Sequence, residues 1–242
     1  MRNDQLKAFD LARWVIKKAA SAGILQNNLK LQRILYFSQA FYICHTDRPL
    51  FREPLEAWSF GPVVPEVYLY YKTYGSHHLP DEAHDPALFP DESLLKEMLF
   101  LNKFIHIILP IPDNQLDSKS RKDEPWIEAF HSGTSINPYL MKLVYSKRLK
   151  RLLTIIENSE LFTQDLVDKL RSEFIEPSNR VLLLARIFLN SLDLFDNLTD
   201  HQLCEQVIKK SFLYHKKVII NETDGINDLK DRKEKNEEKV YP

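Results

Sequence analysis

The sequence predicts a mainly α-helical fold: a compact helical domain with at most a short strand or hairpin, then a helical C-terminal extension and a charged tail. Three observations predict it. Apolar residues recur at three- and four-residue steps through most of the 242 residues. Glycines and prolines stand where those patterns stop, at Gly23, Pro65, Gly75 and Pro177. From Asn221 onward, NETDGINDLKDRKEKNEEKVYP has too little apolar surface to offset its ordering entropy.

Element by element, Leu6, Phe9, Ala12, Val15, Ile16 and Ala19 predict a helix over 4–22, with Gly23 at the C-cap. Leu31, Ile34, Leu35, Phe37, Phe41 and Cys44 predict a second over 28–45, with Asn28 as its N-cap. DRPLFREPLEAW reads as loop with a short strand at Leu55–Trp58. Pro65 suits the first turn of a helix over 65–74, since its missing N–H would be unpaired there anyway, and Gly75 can end it. The stretch 76–90 carries three prolines among polar residues and reads as surface loop. Asp91 caps an apolar helix over 92–108, which LPIPDN breaks. A short helix and loop follow, with Pro125 opening a further turn. Helical patterns then run over 137–157, 164–174, 178–195 and 200–217, with Thr163 and Asp200 as caps. The apolar faces of the first two helices and the following corner place Trp14, Leu31, Leu35, Phe41 and Trp58 in one core.

Composition limits function. Hydrophobic residues make up 44% of the chain, enough for a core, and a net charge of −1 gives no global pull toward nucleic acid or lipid. The N-terminus alternates charge with apolar residues, unlike a signal peptide, and no apolar run reaches the roughly 20 residues of a membrane span. A cytoplasmic location is the simplest reading, with no membrane partner. Cys44 and Cys204 give neither a zinc spacing nor a disulfide framework and read as buried thiols.

The inventory of catalytic groups is thin. His77, His78 and His84 lie in a loop with Asp81, Glu82 and Asp85, without the fixed elements that hold metal ligands, so a metal-dependent hydrolase is the weakest reading. Cys44 and His45 are neighbours on a helix and point about 100° apart, which argues against a thiol–imidazole dyad. There is no phosphate-cradling glycine loop or nucleophile elbow. No catalytic residue, metal or other cofactor is expected. Lys142, Lys147, Arg148, Lys150 and Arg151 form a basic stripe that would suit a nucleic-acid-binding regulator, although the overall charge balance favours a solvated helix face.

The densest signal is EAWSFGPVVPEVYLYYKTYG, residues 56–75. Gly61 permits a sharp turn, and Pro62 and Pro65 fix φ on either side, so Trp58 and Phe60 are held beside a tyrosine-rich helix closed by Gly75. Val64, Tyr68 and Tyr71 share one face of that helix, and Val67, Tyr70 and Tyr74 the adjacent one. Both faces cannot be buried in so short a helix. Some tyrosines should reach the surface, where an apolar body with a hydroxyl suits partner recognition.

LKLQRILYFSQAFYI (29–43), RPLFREPLEAWSFGPVVPEVYLYYKTYG (48–75) and EPW (124–126) together resemble the Panacea domain, a family of phage-associated and antitoxin-like proteins. The resemblance covers roughly residues 5–150, giving a Panacea-like helical domain over 1–150, a helical extension over 151–220 and a tail over 221–242. It implies a mostly helical, non-enzymatic protein that binds and silences a cognate protein toxin; some relatives deliver the toxin to a cytoplasmic protease. The family carries threonine-histidine upstream of its Pro-Trp pair, where this chain has Ser120-Arg121, so any chemistry resting on that histidine is lost here. On this reading the partner-binding candidates are Tyr68, Tyr71, Tyr74 and Trp126, while Trp58, Phe60, Gly61, Pro62, Pro65 and Gly75 form the architectural motif.

Overall fold

The computed structural model describes residues 6–80 and 95–158. Among them the chain is mainly α-helical, with seven α-helices and one two-stranded hairpin. The calls at His84, Asp91, Thr163, Cys204 and Asp200, the helices expected beyond 158 and the charged tail lie outside the described residues.

Helix α1 (Ala8–Ser21) buries Leu11, Ala12, Val15, Ile16 and Ala19 along one stripe. Gly23, at φ 66°, turns the chain left-handed, and the amide of Ile24 reaches back to the Ala19 carbonyl at 2.8 Å, a helix-closing pattern that supplies an orphan carbonyl with a donor. At the other end the Glu53 carboxylate accepts the first-turn amide of Ala8 at 3.1 Å, and burial raises the pKa of Glu53.

Helix α2 (Asn28–Thr46) is the centre of the molecule: Asn28 and every residue from Lys30 to Ile43 are buried. Its cap is Asn27 rather than the expected Asn28. Asn27 has extended backbone and accepts the Lys30 amide at 2.9 Å, while Asn28 is already helical and turned inward. Phe41 stacks on Phe104 at 4.5 Å, joining α2 to α4 (Leu95–Ile108).

Strands β1 (Glu56–Trp58) and β2 (Gly61–Val63) pair antiparallel, Glu56 with Val63 and Trp58 with Gly61. Then come α3 (Pro65–Tyr71), a 3₁₀ turn over Lys72–Tyr74, and Gly75 at φ 55°. Helices α5 (Asp113–Arg121), α6 (Glu124–Ser132) and α7 (Pro138–Asn158) complete the described chain. Gly133, at φ 66°, ends α6. The segment between α6 and α7 returns to the hairpin, where the Ile136 amide donates to the Leu55 carbonyl at 2.7 Å.

Trp14, Leu31, Leu35 and Phe41 are buried in one core, but Trp58 does not join them. Strand β2 lies against α2 and α5 and is buried throughout; β1 lies outside it against α6, so Trp58 is only half-buried. The hairpin therefore has an inner strand and an outer one.

Candidate partner-binding surface

Two consecutive polar residues near the start of α2 hold the corner. Gln32 accepts the Val64 amide through Oε1 at 2.9 Å and donates from Nε2 to Asn28 Oδ1 at 3.0 Å; Asn28 in turn donates to the Tyr68 carbonyl at 2.9 Å. Arg33 is buried under the turn. Its guanidinium donates to the carbonyls of Phe60 and Pro62, the latter at 3.0 Å, and to Asp117 at 2.9 Å. Burial drives the Arg33 pKa down to about 10, against the pull of Asp117. Gly61 is required here for two reasons. Its φ is 112°, and a Cβ at this position would lie 2.5 Å from Arg33 Nη2. The LQR of α2 and the SFGPVV of the hairpin are thus one device: buried donors and acceptors fix the backbone from Phe60 to Tyr68.

Held in this way, the corner projects aromatic rings outward. Trp58, Phe60 and Tyr68 are each half-buried, with centroids 5.5 Å (Trp58–Phe60), 5.2 Å (Trp58–Tyr68) and 5.4 Å (Phe60–Tyr68) apart. The Trp58 indole N–H donates to Glu56 Oε2 at 2.6 Å. One turn on, Leu69 and Tyr70 are 56% and 51% exposed, and Tyr70 meets Phe9 of α1 edge-to-face at 4.8 Å.

The structure divides the candidates from the sequence. Tyr68 and Tyr74 are half-buried at the margin of the surface. Tyr71 is fully buried, because the side of α3 that carries Val67 packs on the core and Phe9 lies over its ring. Trp126 is 7% exposed, covered by the stacked ring of Phe130 at 4.8 Å. Neither can contact a partner as the chain stands, so both belong to the architecture. The exposed large side chains of α3 are instead Leu69 and Tyr70. Their signal was the crowding of apolar residues on two faces of a single two-turn helix.

A second buried cluster explains the EPW region. Asp123, just before α6, accepts hydrogen bonds from the hydroxyls of Tyr36 on α2 and Tyr145 on α7, and pairs with Arg148 at 2.8 Å. Burial, reinforced by the Asp123 charge, pushes both tyrosines well above their ordinary pKa. For Arg148 burial works against the charge, but Asp123 and the tyrosines outweigh it and raise the pKa. Arg148 is therefore taken out of the basic stripe expected on α7, and Lys142 is paired with Asp47 at 2.9 Å. Ser120 is buried and donates to the Asp117 carbonyl at 3.0 Å, while exposed Arg121 pairs with the Asp117 side chain. Beside this cluster α6 and α7 expose Ile127, Phe130, Tyr139 and Leu143, and a hollow of about 480 Å³ lies between Pro125, Ala129, Ile136 and Tyr139.

Cys44 and His45 do touch, contrary to the helix-geometry argument: Sγ lies 3.2 Å from Nδ1. The contact does not make a nucleophile. Nδ1 is also 2.6 Å from the Phe41 carbonyl, an acceptor that requires it to carry a proton, and burial pushes the thiol up to about 12, away from thiolate. His77 and His78 are exposed, and no group of three or more metal-ligating side chains occurs among the described residues.

The fold and this surface define a helical domain whose prominent feature is a locked aromatic corner. Residues 31–127, which contain the corner, match the family model described as antitoxin SocA-like, Panacea domain. The chain is also similar to Antitoxin SocA of Caulobacter vibrioides, 37% identical over 105 residues that make up 43% of this chain and 49% of that protein. It thus spans about half the length of the curated relative it matches. No solved structure matches it.

Proposed function

We propose that this chain is an antitoxin-like protein that neutralises a cognate protein toxin by direct binding, without chemistry of its own. One coincidence carries the reading: the residues that match an antitoxin-type domain are those that lock the corner and present its exposed ring surface. Leu69 and Tyr70, with Tyr68 and Tyr74 at the margin, suit recognition, because binding energy concentrates in rigid apolar and aromatic groups that lose little entropy on contact. The domain organisation proposed with it keeps residues 1–150 as the binding unit, with 151–220 as an extension that tunes partner choice.

The experiment is co-expression with the gene adjacent to this one. Growth arrest by the neighbour alone, relief by co-expression and recovery of a complex by affinity capture are the expected results. Toxin abundance in the same cells separates holding the toxin from delivering it to a cytoplasmic protease. A neighbour that is harmless, or is relieved without any complex and without loss of toxin, overturns the proposal.

A further inference from the structure

The three rings at the corner do more than cover one another. Trp58, Phe60 and Tyr68 enclose a small triangle, each ring partly open to solvent. Trp58 stands at 89° to Phe60 and 73° to Tyr68, so a cation seated over an open face of one ring, within roughly 6 Å of its centroid, is attracted by that ring's quadrupole and flanked by the others. Glu56, on the same side of β1 as Trp58, has one carboxylate oxygen tied to the indole N–H. The side chain is half-buried.

We infer that the Trp58–Phe60–Tyr68 triangle with Glu56 is a site for one cationic side chain of a partner protein, an arginine or a lysine. The inference rests on the binding role proposed above and names the chemistry of the contact. Charge decides the occupant. An apolar group pressed onto Trp58 would desolvate the Glu56 carboxylate with only the indole N–H to offset the loss, and an anion would meet both that carboxylate and the negative faces of the rings. A guanidinium satisfies both features, since it can stack on a ring while donating to a carboxylate. Rigidity adds to this. Phe60 and Tyr68 have their carbonyls held by Arg33 and Asn28, so the triangle is assembled before any partner arrives.

The test needs no toxin, so its outcome is separable from that of the co-expression experiment. The full chain is titrated with a hexapeptide containing two arginines and, in parallel, with the same peptide carrying citrulline, which keeps the shape and removes the charge. The Trp58 indole N–H resonance, assigned with Trp58→Phe, is followed by NMR. The arginine peptide should shift it in a saturable way, weakened by added salt, and the citrulline peptide should not. Glu56→Gln should weaken the arginine peptide roughly three- to ten-fold. Equal shifts from both peptides, or none from either at millimolar concentration with the melting temperature intact, overturn the site and leave the triangle as packing alone.

Discussion

Helix α2 contributes buried polar side chains at two places, and they stabilise different things. Near its start Gln32 and Arg33 reach the backbone of the hairpin: a carbonyl at Phe60, another at Pro62, an amide at Val64. One turn later Tyr36 reaches a side chain, the Asp123 carboxylate, which also gathers Tyr145 and Arg148. The corner thus orders backbone and leaves its outer side chains free to contact a partner. The Asp123 cluster closes on itself, joins α2 to α7 and leaves nothing for a partner. The two networks differ in what they hold: chiefly hairpin main chain at the corner, and side chains alone at Asp123.

The largest effect should come from the closed cluster. Asp123→Ala removes the buried carboxylate that pairs with Arg148 and accepts from the hydroxyls of Tyr36 and Tyr145, a loss expected at about 3–5 kcal/mol. Chemical denaturation of the full chain measures it. A loss below about 1 kcal/mol would mean that water replaces the carboxylate, and that the cluster is open rather than closed.

Gly61→Ala should come next. It places a non-glycine residue at φ 112° and drives a Cβ into the Arg33 guanidinium, costing about 2–4 kcal/mol from strain and displaced hydrogen bonds. Because the steric conflict is shared with Arg33, Gly61→Ala combined with Arg33→Met should cost less than the sum of the two single changes. Strict additivity in that double-mutant cycle would break the account of the corner as a single device.

Alkali should separate the two places further. Tyr36 and Tyr145 are held above the ordinary value of 10.0 in the folded state. A raised folded-state pKa contributes stability that is fully present below pH 10 and is lost as pH rises toward the folded value, since the unfolded chain ionises first. The melting temperature should therefore fall above pH 10, and Tyr145→Phe, which removes one of the two groups, should flatten that fall. An unchanged slope in the variant would place the alkaline loss elsewhere.

The helices were legible because their burial is periodic, and periodicity is a local property of sequence. Gln32 and Arg33 were not. In sequence they look like the wet side of an amphipathic helix, and only the docking of residues 60–64, about 30 positions away, makes them internal. Trp58 was misplaced for the same reason, since nothing local says which strand of a hairpin lies outward. The tyrosines of α3 show a further limit. The pattern required that one side of a two-turn helix be exposed, but the choice of Tyr70 over Tyr71 is made by the core and by Phe9.

The smallest expected effect on stability is the one that bears most on function. Leu69 and Tyr70 are exposed, and truncating Tyr70 removes edge contacts with Phe9 and Tyr71 at a half-exposed site, so Leu69→Ala and Tyr70→Ala should each change stability by no more than about 1 kcal/mol. Capture of the partner should nevertheless fall at least ten-fold in the double variant, since these are the large exposed apolar side chains of α3 and binding energy concentrates in such groups. Tyr71→Ala provides the contrast: its ring is buried, so its loss should lower the melting temperature first and binding only through unfolding. Phe130 and Leu143 are as open to solvent as Leu69 and Tyr70 but stand on the side of the Asp123 cluster. If changing those two abolishes capture while the Leu69/Tyr70 variant binds normally, recognition lies on the α6–α7 side, and the corner presents its rings to solvent rather than to the toxin.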